Sequence, residues 1–60
     1  MKVSEMKKLL KQIGCRKIRD GANHEIWYSP ITDRKFQVPR HQSQELPTGT
    51  EKQIRKESGL

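Results

Sequence analysis

The sequence predicts an α+β domain in the order α-β-β-β-α: a three-stranded antiparallel sheet with two helices packed on one face. Three observations lead there. Met6, Leu9, Leu10 and Ile13 fall at i, i+3, i+4 and i+7, one apolar stripe of helical period. Residues 15–38 break into three short segments of alternating character, separated by turn residues. Beyond them Thr48 and Glu51 stand at capping-box spacing, and Gly59 follows where a helix would end. Sixty residues hold one such domain, 1–60.

The first helix is expected over residues 4–13, with Ser4 as its N-cap, Glu5 placing negative charge at its start and Gly14 stopping it. Lys7, Lys8 and Lys11 lie off the apolar stripe, as a solvated face or as phosphate holders. Cys15 to Asp20 reads as a strand, with Ile18 on one side and Lys17 and Arg19 on the other. Gly21-Ala22-Asn23 turns the chain into a second strand, His24 to Ser29. There Ile26 and Tyr28 share one face, and Glu25 and Trp27 the other; strict alternation puts His24 with Ile26, but the adjacent turn leaves its direction open.

Pro30 to Asp33 is loop chemistry, and Arg34 to Val38 forms the third strand, ended by Pro39, which has no N–H for the ladder. Residues 40–45 are a polar connector. Leu46-Pro47 then leads into a second helix capped by Thr48, with a sparse apolar face of Ile54 helped by Leu46 and Leu60. The expected core is Met6, Leu9, Leu10, Ile13, Ile18, Ile26, Phe36, Val38, Ile54 and Leu60, with Tyr28 or Trp27 at its margin.

Composition narrows the function. Thirteen Lys and Arg against seven Asp and Glu give a net charge of +6, which favours polyanions, nucleic acid before anionic membrane, although excess charge also serves solubility. A mean hydropathy of −1.04 allows only a thin core. The single cysteine, Cys15, excludes an intramolecular disulfide, suggests a reducing compartment and suits a small buried side chain better than a nucleophile. No apolar run is long enough for a signal peptide or membrane span, so a cytoplasmic protein without membrane contact is expected. Two histidines 17 residues apart and one cysteine make no zinc pattern, the carboxylates are scattered, and there is no phosphate-cradling glycine loop; neither metal nor cofactor is expected.

The stretch Gly21-Ala22-Asn23-His24 concentrates the chemistry. Gly21 is free to take φ > 0, Asn23 tolerates it, and the turn would hold His24 at a strand edge. Imidazole is the side chain that gives and takes protons near neutrality. The bland alternative is an ordinary polar residue opening a strand. His41 is a possible second proton carrier or simply part of the connector. Lys17, Arg19, Lys35 and Arg40 are candidates to hold a phosphate, and Trp27 could equally stack on a base or pack against a helix or a partner.

The element order also occurs in double-stranded-RNA-binding domains, and the residues carry a closer likeness. A leading helix ending in Gly14, the Gly-x-x-His box at 21–24, Val38-Pro39-Arg40-His41, and a tail of Glu45-Leu46-Pro47, Gly49-Thr50, Ile54-Arg55-Lys56 and Gly59-Leu60 together resemble the HicA toxin family over essentially the whole chain. Two positions depart from the family's pattern: Ala22 replaces a common serine of the box, removing a hydroxyl, and Glu51 stands where relatives tend to carry leucine.

The resemblance implies a toxin of a toxin–antitoxin pair: a metal-independent endoribonuclease that cleaves mRNA, with His24 as general acid or base, inhibited by a HicB-like antitoxin. The box residues Gly21 and Asn23 then join Lys17, Arg19, Lys35, Arg40 and Trp27 as candidates for RNA contact. The alternatives are a non-catalytic RNA-binding module of the same fold and a small basic interaction protein.

Overall fold

A computed structural model describes residues 1–60. The elements are α1 (Val3–Gln12), β1 (Arg16–Asp20), β2 (His24–Ser29), β3 (Arg34–Pro39) and α2 (Thr48–Ser58). The strands form one antiparallel sheet in the order β1-β2-β3, and both helices cover the same face of it, as the sequence predicts.

Helix α1 starts one residue earlier than expected, and Lys2 rather than Ser4 is its N-cap. The connector explains the difference. Val3 N–H donates to the Gln44 carbonyl (2.9 Å) and Ser4 N–H to that of Gln42 (3.0 Å), so the first helical donors are satisfied by backbone instead of a hydroxyl. Glu5 adds the reciprocal contact, accepting the Lys2 N–H at 2.7 Å. Gly14 ends the helix at φ 93°. Cys15 N–H reaches back to the Leu10 carbonyl (2.9 Å) and Gly14 N–H to that of Lys11 (3.1 Å), a Schellman closure. Cys15 therefore belongs to the cap rather than to β1, and it is buried.

Helix α2 likewise starts differently from the capping-box reading. Pro47, at φ −60°, occupies the N-cap position, its carbonyl accepts the Glu51 N–H (2.9 Å), and Thr48 is the first helical residue. Glu51 turns to Arg55 (3.1 Å) instead of back to the cap. Strand β3 runs one residue further than expected. Pro39 fits because β3 is an edge strand, where a missing N–H removes no interior ladder bond.

The main correction concerns which face of the sheet is inside. The core is Val3, Met6, Leu10, Cys15, Trp27, Phe36, Val38, Leu46 and Ile54. On β2 the inward residues are Glu25, Trp27 and Ser29, the first two opposite Val38 and Phe36 of β3. Trp27, expected at the margin, is at the centre and 2% exposed. Ile26 and Tyr28 are half-buried on the opposite side, and Ile18 is 39% exposed. Burying the indole removes more apolar area from water than burying an isoleucine, and its N–H finds a partner in Glu25 (3.0 Å). Ile18 also sits at a register break. Lys17 faces Trp27 and Arg19 faces Ile26, so Ile18 is the extra residue of a β-bulge. Leu9 is half-buried, while Ile13 and Leu60 pack against the core from its edge.

Candidate active site

The β1–β2 turn is drawn tight by Gly21, whose N–H donates to the His24 carbonyl at 2.7 Å. Positive φ occurs only at Gly14, Gly59 and Asp33, so the turn uses the small size of Gly21, not its left-handed freedom. A Cβ there would stand 3.1 Å from the His24 carbonyl oxygen. Neither Gly21 nor Asn23 adopts the left-handed backbone that the sequence reading allows them.

Arg40, arriving from the end of β3, clamps this turn. Its Nη2 donates to the carbonyls of Gly21 (2.5 Å) and His24 (3.4 Å) and lies 3.7 Å from the Asp20 carboxylate. The Arg40 carbonyl in turn accepts from Lys7 Nζ (3.4 Å), and Lys7 pairs with Glu25 at 3.0 Å. Lys7 is 5% exposed, so the charge that sequence pattern assigns to a solvated helix face is in fact buried. Burial alone would raise the Glu25 carboxyl; hydrogen bonds from Trp27 and Lys7 outweigh it and hold the group below the usual carboxylate range. A continuous polar network therefore runs from α1 through Glu25 and Arg40 to the carbonyls of Gly21 and His24.

His24 itself is exposed. It lines a groove of about 970 Å³ between the outer edge of β3 and α2, whose lining also includes Asn23, Lys35, Arg40 and His41. Both histidines thus open onto one groove. The opposite wall contains Thr50, Gln53 and Glu57 of α2, three residues that nothing in the sequence reading marks as part of a site. Their spacing, i, i+3 and i+7, is the same signal that marks the apolar face of α1, carried by polar residues.

Other expected contacts fall elsewhere. Trp27 has no open face for a base to stack on, since burial in the core consumes both sides of the ring. Lys17 lines a separate cleft beside α1 and is bonded to Asp20 at 2.8 Å. That hydrogen bond, more than the neighbouring charges of Lys17 and Arg40, lowers the Asp20 carboxyl below its ordinary value. Arg19 pairs with Ile26 across the sheet and is exposed outside the groove. No helix is long and apolar enough to cross a membrane.

One-sided packing of two helices on an antiparallel three-stranded sheet, in the order α-β-β-β-α, defines an α+β domain with the element order that double-stranded-RNA-binding domains also have. Within that class the assignment is specific. The family model described as the HicA toxin of bacterial toxin–antitoxin systems matches residues 3–60, and the chain belongs to that family. No curated protein and no solved structure gives a significant match.

Proposed function

We propose that this toxin is an endoribonuclease that cleaves mRNA without a metal ion, with His24 carrying proton transfer. The observation that carries the reading is the exposed His24, braced through its backbone by Arg40 and opening onto a groove shared with His41 and Lys35. RNA supplies its own nucleophile. The 2′-oxygen attacks the adjacent phosphorus, the bond from phosphorus to the 5′-oxygen breaks, and a 2′,3′-cyclic phosphate and a 5′-hydroxyl result. One group must take the 2′-hydroxyl proton and one must protonate the departing 5′-oxygen. His24 takes one of these roles, and His41 is the candidate for the other. Lys35, beside the groove, offsets charge building on the phosphorane. Gly21 and Asn23 shape the turn against which the strand lies.

The partner follows from the family's place in a toxin–antitoxin pair. A HicB-like antitoxin silences the enzyme by covering the groove, and both act in the cytoplasm, where the mRNA is. The test is cleavage of RNA by purified protein with a chelator present, compared with a substrate lacking the 2′-hydroxyl. The parent protein should cleave only the ribose-containing strand, and His24→Ala should lose at least about 10²-fold in rate. Undiminished cleavage by His24→Ala would remove His24 from the mechanism.

A further inference from the structure

The face of the sheet turned away from the helices has no covering element. We propose that it is a single-stranded RNA track leading to His24. The ligand class rests on the nuclease reading; the location rests on the sheet. Cross-strand partners share a face, and the register writes two rows across this one: Arg16–Tyr28–Lys35 and Arg19–Ile26–Gln37. His24, opposite Pro39, lies at the next position of the same face. Same-face positions along β2 are about 6.6 Å apart, the scale of one nucleotide step in an extended strand. A backbone laid along β2 therefore meets a cationic row at each step before it reaches the histidine.

The charges on this face are free. Arg16, Arg19 and Lys35 are exposed and none takes part in an ion pair, whereas Lys7, Lys17, Arg40 and Arg55 all do. The carboxylate at the far end, Asp33, is occupied by the Tyr28 hydroxyl at 2.7 Å. Arg16 lies 5.4 Å above the Tyr28 ring, presenting a guanidinium plane on an aromatic support, and half-buried Ile26 supplies an apolar floor between the rows. Planar cationic and aromatic groups on an open sheet suit unstacked bases flanked by phosphates. The choice of RNA rests on the three unpaired cations around an aromatic ring; a protein partner enters as an outcome of the test.

The experiment measures binding of a fluorescently labelled ten-nucleotide single-stranded RNA to the full chain in a His24→Ala background, across a salt series. The triple variant Arg16→Ala, Arg19→Ala, Lys35→Ala should bind at least tenfold more weakly. Its log–log salt dependence should flatten by about 2, at roughly 0.7 per lost phosphate contact. The charge-matched control Lys8→Ala, Lys52→Ala, Lys56→Ala, on exposed helix positions, should lose less than threefold. Circular dichroism checks that both triples fold. Equal losses in the two triples, or a larger loss in the control, would overturn the track. So would RNA binding by the Arg16, Arg19, Lys35 triple within threefold of its His24→Ala parent, which would give this face to a protein. If the parent protein bound no RNA at all, the nuclease reading would fall with the track; if only His24→Ala cleavage proved normal, the track would stand without that reading.

Discussion

Arg40 joins two parts of the chain that sequence proximity does not connect, and its neighbours define what its loss should do. The sequence marks it as a phosphate holder, yet its Nη2 is committed to the carbonyls of Gly21 and His24. Arg40→Ala should slacken the turn, lowering kcat for RNA cleavage by about tenfold with a smaller change in KM, and Arg40→Lys should recover only part of it because one ammonium lacks the planar fork. The ion pair to Asp20 is exposed, so the stability cost should stay below about 1 kcal/mol. Gly21→Ala pushes a methyl against the His24 carbonyl oxygen at 3.1 Å. The expected cost is about 1 kcal/mol in a denaturant melt, together with a displaced His24.

At the scale of elements, the five segments are legible in the sequence because each has a strong local signal: a periodic stripe, a glycine stop, a proline. The phase of β2 is not. Ile26 and Trp27 are both apolar, so alternation alone gives two answers. Glu25 argues wrongly for the Ile26 side because an acid reads as solvent-facing. The Trp27 indole N–H and Lys7, itself disguised as a surface lysine, together make an inward Glu25 acceptable. The direction of His24 depends on the same choice, which is why the sequence offers a candidate residue but not the geometry around it.

Lys7→Met should leave the inward Glu25 carboxylate without its closest cation and cost about 3 kcal/mol or more in thermal or urea unfolding; adding Glu25→Leu should restore part of it. The pH dependence has a definite sign. Because the folded Glu25 carboxyl is held low, its contribution to stability is present above the ordinary carboxylate range, about 4.3 for an unfolded Glu, and is lost as pH falls through the lower folded value. Asp20 and Glu45 act in the same direction. Urea melts at pH 7 and at pH 3 should therefore differ less for Glu25→Gln than for the parent.

The far end of the molecule shows how β2–β3 and α2 are fastened: the Ser29 hydroxyl donates to the Ser58 carbonyl at 2.6 Å and accepts from Ile31 N–H, while the Thr32 hydroxyl donates to the Glu57 carbonyl (2.5 Å). Ser29→Ala leaves a buried carbonyl unpaired and should cost about 1–3 kcal/mol.

For the whole molecule, the thin core makes these costs large relative to total stability, since a domain of this size is marginal. The net charge of +6 also makes any RNA reaction strongly salt-dependent: KM for a long substrate should rise steeply between about 50 and 200 mM salt, while the rate at saturating substrate should move little. The bulge at Ile18 has one more effect at this scale. A stranger's strand offered to the bare rim of β1 would fall out of step after Lys17, so stacking of copies into a continuous ribbon is discouraged at its first layer. Concentrated protein should accordingly stay free of fibrils, which thioflavin fluorescence of an aged sample would check.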